Sequence, residues 1–345
     1  MTSLKIVVDA TSLLQVFTLG FYGFIVSTIL TPLYTTAAFK KEWWKKARTT
    51  AVTGETAKVY RKLHAAKHIR NIPTMAGVIF VFSVTLVTVT GNLSRSETWL
   101  PLAAMAGAGM IGLFDDLLNI KSAGKGIAGM RAKIKALLLT GVALIGGWWF
   151  YAKLGFTNMQ VPFFGNVHVG WLIIPIFLIV IVSTANAVNI SDGLDGLAGG
   201  LSVSAFSAYA VIAAMEGRFG VAGFCLTIVG ALLSYTWFNI FPARFFMGDV
   251  GSCALGTALG VVAMLTNTVL ILPIIGFVFV AEAGSSLLQI ASKRLRGGKK
   301  IFKIAPIHHH YEASGWPETK VTMRFWIVGQ ICAVLGLIVY LLGRV

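Results

Sequence analysis

Hydrophobic residues fall along this chain in long runs, without the alternation of a strand or the one-sided stripe of a soluble helix. Ten such runs cover residues 11–33, 73–91, 99–118, 134–151, 171–188, 197–215, 219–238, 251–266, 268–291 and 323–343. Each is close to the roughly 20 residues that an apolar helix needs to cross a bilayer. In hydrocarbon the backbone must satisfy its own hydrogen bonds, which leaves helices or closed barrels. The pattern therefore predicts an all-α, polytopic integral membrane protein of about ten transmembrane helices, forming one transmembrane domain over 1–345. The first run has the length of a full span and no small-residue cleavage site, so it reads as retained.

Composition supports this class. Of 345 residues 56% are apolar and 12% charged, which excludes a soluble globular domain. The net charge of +16 raises nucleic acid as a partner, but the distribution of the charge argues against it. Alternating the sides gathers segments 34–72, 119–133, 189–196, 239–250 and 292–322 on one face, and these hold almost every Lys and Arg. The opposite face keeps little beyond Lys5, Arg95, Lys153, Arg218 and Arg344. By the positive-inside rule the basic face is cytoplasmic and both termini are periplasmic. The partner implied is the lipid bilayer, not nucleic acid. Cys225, Cys253 and Cys332 sit in apolar runs without metal or redox spacing and read as packing residues.

Polar residues at the ends of spans change the picture from topology to chemistry. Segment 183–200 places Asn186, Asn189, Asp192 and Asp195 between two spans at intervals of three. On a helical turn continued past the span they would form one stripe, whereas capping the next helix needs only one Asp. Asp115 and Asp116 close the third span, where adjacent acids oppose the helix dipole and each other unless a cation intervenes. Asp249 follows Pro242 and Gly248 at the start of the eighth span, a helix N-terminus suited to phosphate. Five of the six aspartates thus fall at cytoplasmic mouths, together with Lys125, Lys133 and Lys135. Pro73 reads as a first-turn proline of the second span, with Thr74 beside it turned to a ligand. Glu282 is an isolated acid within the ninth span and carries no assigned role. In segment 306–318, three consecutive histidines would fan out on a helix, while in an extended segment His308 and His310 would share a side. Phosphate or sugar contacts fit these histidines better than zinc, for which no partner has ligand spacing.

Clustered carboxylates with bases suit a magnesium–diphosphate site, in which Mg²⁺ takes one or two protein carboxylates and the other acids orient or bind hydroxyls. A proton pump would carry its acids mid-span, and alternating access would favour a second cluster on the outer side. No Walker GxxxxGK[ST] motif occurs.

Five motifs carry a resemblance: Pro73-Thr-Met75, Asp115-Asp116, the Asn186–Ala198 segment with its Asp192-Gly-Leu-Asp195-Gly core, Phe246-Met-Gly-Asp-Val-Gly-Ser252, and Pro306-Ile-His-His-His-Tyr-Glu through Glu318. In this order the chain resembles the polyprenyl-phosphate N-acetylhexosamine-1-phosphate transferase superfamily, and the histidine segment resembles its phospho-N-acetylmuramoyl-pentapeptide transferase branch. The resemblance implies transfer of phospho-MurNAc-pentapeptide from UDP-MurNAc-pentapeptide to undecaprenyl phosphate, giving lipid I and UMP in peptidoglycan synthesis at the bacterial inner membrane. It also implies Mg²⁺, ten spans with a cytoplasmic cleft, and commonly a homodimer. By motif match Asp249 is the metal ligand, and Asp115, Asp116, Asp249 and His308 are catalytic. Thr74, Lys125, Lys133, Asn186, Asn189, Asp192, Asp195, Asn239, His309 and His310 form the substrate-binding set. Ile69-Arg-Asn-Ile-Pro-Thr74 departs from the family's Lys-x-Gly-Thr-Pro-Thr. The alternative is a sibling enzyme taking UDP-GlcNAc; a transporter and a non-catalytic scaffold are the readings from other classes.

Overall fold

A computed structural model describes residues 9–44, 71–121 and 129–344. Lys125, and Ile69 and Arg70 of the departing motif, lie outside the described residues. Each of the ten apolar runs coincides with helix, as expected where backbone groups have no other partner. In chain order these are α1 (Ala10–Lys40), α2 (Gly77–Gly91), α3 (Trp99–Lys121), α4 (Ala132–Ala152), α5 (Ile173–Ser191, entered through a 3₁₀ turn at Gly170–Leu172), α6 (Leu197–Met215), α7 (Phe219–Asn239) and α8 (Gly248–Leu265). Then follow α9 (Leu272–Ile275), α10 (Phe277–Leu295), a short α11 (Ile307–Glu312) and α12 (Glu318–Leu342). Among the described residues eight helices are long and apolar enough to cross a membrane: α1, α3, α4, α5 with its leading turn, α6, α7, α8 and α12. The chain is a mostly helical, multi-pass membrane protein.

The bundle is built around α8. Of its 18 residues only Asp249 is not buried, so the helix is packed on every side and carries its one charge at its mouth. Such burial in lipid rests on close van der Waals packing between small residues. Gly256 gives α5 its approach to α8: a Cβ there would lie 2.4 Å from the Thr184 carbonyl oxygen. At the periphery α1 packs on α7, where Ser27 Oγ donates to the Ala231 carbonyl at 3.0 Å.

Several boundaries differ from the sequence expectation. α1 does not stop near Pro32 but continues through it to Lys40, a proline being tolerated in a membrane helix whose Ser and Thr side chains engage nearby carbonyls. α2 begins at Gly77, so Pro73 is not in its first turn. Residues 73–76 instead lie in a non-helical turn against the segment before α8, with Met75 at φ +70°, Phe246 N–H donating to the Pro73 carbonyl (2.7 Å) and Ala76 N–H to that of Phe246 (3.0 Å). The ninth run is divided at Gly276 into α9 and α10. The loop 152–170 holds an antiparallel hairpin, Asn158–Val161 with Gly165–His168, turned through Pro162–Phe164.

α10 falls short of the apolar spans for a visible reason. Its buried face is polar, with Glu282, Ser285, Gln289 and Ser292. Ser292 Oγ donates to the Lys299 carbonyl (2.8 Å), Gln289 Oε1 accepts from Ile301 and Phe302 N–H (3.0 and 3.1 Å), and Ser285 Oγ accepts from Ile307 N–H (2.9 Å). This stripe straps segment 299–307 along the helix and delivers α11 to a fixed place.

Candidate active site

The C-terminal ends of α3 and α5 meet the N-terminal ends of α4 and α8, and the side chains there form one cluster. Lys135 Nζ lies 3.3 Å from Asp115 Oδ2 and is hydrogen-bonded to Asp249 Oδ2. Asn189 Nδ2 donates to Asp249 Oδ1 (3.1 Å) and to Ser252 Oγ (2.7 Å), tying α5 to the same point. Asp115 Oδ1 accepts the Met130 N–H at 2.6 Å, which closes the loop leading into α4. Two carboxylates so close would repel, and the ammonium between them supplies the opposite charge.

Asp115 and Asp116 lie within α3, about 100° apart on the helix, so they face different partners. Asp116 is fully buried, and its Oδ2 accepts the Val250 N–H (3.2 Å) at the start of α8. Gly248 makes room for that contact: φ is +75° and a Cβ would lie 2.4 Å from Asp116 Oδ2. Asp116 thus binds the N-terminus of α8 while Asp115 faces the cluster.

The expected stripe of Asn186, Asn189, Asp192 and Asp195 does not form. α5 ends at Ser191 and Asp192 is its C-cap; the chain then turns into α6 through Gly196, at φ +77°. Asn189 reaches the cluster. Asn186, on the exposed side of α5, donates back to the Val182 carbonyl at 2.7 Å. Asp195 is buried in the α5–α6 turn; its Oδ2 accepts the Ala243 N–H (3.0 Å), and its own N–H donates to Glu318 Oε1 (2.7 Å). Asn239 bridges the Gly196 N–H and the Phe245 carbonyl. These side chains hold the turn in place. Thr74 is buried in the non-helical turn beside Phe246, its carbonyl accepting from Tyr34 Oη.

The histidine segment is helical rather than extended, so His308 and His310 do not share a side. His308 Nδ1 bonds Glu282 Oε2 at 2.7 Å and His309 Nδ1 bonds Glu312 Oε2 at 2.7 Å. His310 Nδ1 accepts the Lys303 N–H at 3.1 Å on the far side. Of the three, His308 packs against the α5–α6 turn: a Cβ at Gly193 would lie 2.3 Å from its Nε2.

The substrate-binding set read from the sequence named Lys125 and Lys133 and did not include Lys135. Lys133 is exposed and Lys135 is the residue in the cluster. A signal was present, since Lys135 stands four residues before Leu139 and continues the buried face Leu139, Ala143, Gly146, Phe150 of α4. Glu282 was noticed without a partner, and the partner is His308.

Membrane helices that bring carboxylates, a lysine and an amide together at one mouth are arranged as in a membrane-embedded glycosyl-phosphate transferase. In agreement, the sequence profile of glycosyl transferase family 4 matches residues 98–267, which hold α3 to α8 and five of the acids discussed. The chain is 40% identical over 285 residues to the phospho-N-acetylmuramoyl-pentapeptide-transferase of Syntrophus aciditrophicus, covering 77% of this chain and 79% of that one. It is 41% identical to the protein of the same name from Desulfotalea psychrophila (78% and 79% covered) and 38% to that of Thermodesulfovibrio yellowstonii (81% and 85%). The chain belongs to the phospho-N-acetylmuramoyl-pentapeptide-transferase family.

Proposed function

We propose that this protein transfers phospho-MurNAc-pentapeptide from UDP-MurNAc-pentapeptide to undecaprenyl phosphate, forming lipid I and UMP. The carrying observation is the Asp115–Lys135–Asp249 cluster with Asn189, placed at one membrane mouth where a lipid phosphate and a water-borne diphosphate can meet. The reading places that mouth at the cytoplasmic face of the bacterial inner membrane, with ten spans, periplasmic termini and a homodimeric assembly, as the family resemblance implies.

The donor set fits Mg²⁺. Oxygen ligands from two helices already gather around one positive charge, and hard cations take such oxygens. Among the described residues no three His, Cys, Asp or Glu close on a single point, which suits an ion completed by waters and substrate phosphate. Asp249, with Asp115, would hold the ion. When bound, it would neutralise the diphosphate and stabilise the departing UMP. A phosphate monoester has its second pKa near 6, so the lipid phosphate is largely dianionic at neutral pH and needs little help from a base. One of its oxygens bonds to the β-phosphorus while the bond from that phosphorus to the bridging oxygen breaks, and the electron pair leaves with UMP. Lys135 supplies charge to the phosphates, Asn189, itself held by Ser252, fixes the Asp249 carboxylate, and the positioned groups carry most of the rate.

The test is UMP release by the purified protein with undecaprenyl phosphate, comparing UDP-MurNAc-pentapeptide with UDP-GlcNAc, each with Mg²⁺ and with EDTA. Mg²⁺-dependent release from the muramoyl substrate alone is expected. Release only from UDP-GlcNAc would overturn the substrate, and none from folded protein would overturn the activity.

Gly193 offers a sharper check on the histidine. In Gly193→Ala the new methyl displaces the His308 ring, and turnover is expected to fall by about a hundredfold, as for an ångström-scale misplacement. Unchanged turnover in the folded variant would remove His308 from the reaction.

A further inference from the structure

Glu282 and His308 are both fully buried, and the carboxylate has no role in the transfer chemistry described above. A buried acid is costly to keep unless its charge or hydrogen bonds are used. Here Oε2 meets His308 Nδ1 at 2.7 Å. With Glu282 ionised the carboxylate only accepts, so Nδ1 then carries the proton and a neutral ring is left with Nε2 as its acceptor. That nitrogen points at Gly193, next to Asp192, at the end of the helix whose preceding turn carries Asn189 to Asp249. The polar face of α10 builds this arrangement from both ends. Ser285 binds the Ile307 N–H one residue before the histidine, and Glu282, one turn earlier, binds its ring. The neighbouring His309 ring, 4.1 Å away between centroids, is held by its own acid, Glu312, and so does not compete for Glu282.

We propose that Glu282 is a positioning residue for the transfer reaction, holding His308 as the Nδ1–H tautomer with Nε2 presented at the Asp192–Gly193 turn. This rests on the muramoyl-pentapeptide transfer reading. The carboxylate does two things for the ring: it fixes the orientation, and it favours positive charge on the imidazole when Nε2 meets an anionic phosphate oxygen. Outer carboxylates act on histidine in this way in metal sites and hydrolase triads.

The experiment uses the full-length enzyme with both substrates and compares Glu282→Gln, Glu282→Ala, His308→Ala and the Glu282→Ala/His308→Ala double variant. Glu282→Ala is expected to lower kcat about a hundredfold with KM for the nucleotide substrate little changed, since the contact acts through another residue. Glu282→Gln keeps an acceptor for Nδ1–H and is expected to recover part of that loss. Its pH–rate profile should show the limb assigned to His308 moved to lower pH, because the neighbouring negative charge is gone. In the His308→Ala background Glu282→Ala should cost nothing further, as for two groups acting as a unit. Additive losses in the double variant, or full kcat in Glu282→Ala, would overturn the positioning role while wild-type UMP release still upheld the transfer reading. Wild-type protein that releases no UMP from the muramoyl substrate would instead sink both.

Discussion

Asp249→Asn is expected to abolish nearly all turnover while leaving a folded protein. The substitution keeps the side chain's shape and the oxygen that accepts from Asn189 (3.1 Å), so the tie between α5 and α8 survives. It removes the charge from the one residue of α8 that is not buried and sets an amide NH₂ against the Lys135 ammonium, donor facing donor. Asp115 remains as a partner for Lys135. The loss should therefore show in the reaction more than in the fold. Loss of one preorganised electrostatic contact costs about 10²–10³ in kcat. For a residue that on the proposed reading also holds Mg²⁺ we place the effect at the upper end, about 4 kcal/mol in the barrier. The dependence on Mg²⁺ should shift to higher concentration at the same time. UMP release measured across a Mg²⁺ titration checks both, with size-exclusion behaviour in detergent as the control for folding. Near-normal turnover would reduce Asp249 to a tie between the mouths of α4, α5 and α8.

Much of the fold was legible because lipid leaves a backbone few choices. An apolar run of span length has to be largely helix, and helix covers most of each of the ten runs, eight of the described helices being long enough to span. The boundaries were less legible because they depend on partners distant in sequence. Residues 73–76 look like a first helical turn until Phe246 claims their hydrogen bonds, and α1 passes Pro32 because nothing at that point requires it to stop. The candidate site divides in the same way. Residue types and motif order identified Asp115, Asp249, Asn189 and His308 as candidates, since polar groups at span ends need a reason. Spacing misled at Asn186–Asp195, where intervals of three suggest a helix, whereas α5 ends at Ser191 and the chain turns away before Gly196, at φ +77°. The result is a division of labour among similar acids. Asp115 and Asp249 face the cluster, whereas Asp116 and Asp195 satisfy backbone N–H groups of other segments. Choosing Lys135 over Lys133 needed the inward face of α4, a burial pattern rather than a motif. Glu282 was visible as an anomaly, but its partner lies 26 residues along the chain and is brought near only by the strapped 299–307 segment.

The second large effect is expected at a residue with no side chain. A Cβ on Gly112 would lie 2.2 Å from the Asp249 carbonyl oxygen, 2.4 Å from its carbonyl carbon and 2.6 Å from the Val250 nitrogen. All three are backbone atoms in the first turn of the most buried helix, and no rotamer change relieves them. Gly112→Ala must therefore push α3 away from the start of α8, at the level where Asp115 and Asp116 reach across. Overpacking of this kind costs about 1–3 kcal/mol in a well-packed core, and the contact against rigid backbone places Gly112 at the high end. The same displacement lengthens the Asp116–Val250 bond (3.2 Å) and parts Asp115 from Lys135 (3.3 Å), so activity per folded molecule should fall along with stability. Two neighbours serve as controls. Gly107, on the same helix, would place a Cβ at an ordinary 3.5 Å from Val142, and Gly141 on α4 would meet nothing within 4 Å. Alanine at either should leave the thermal midpoint and UMP release close to wild type, since alanine is the better helix former and no atom is crowded. If Gly112→Ala behaves like these two, α3 and α8 are not locked at the carboxylate level, and the cluster must owe its geometry to the side-chain contacts of Lys135 and Asn189.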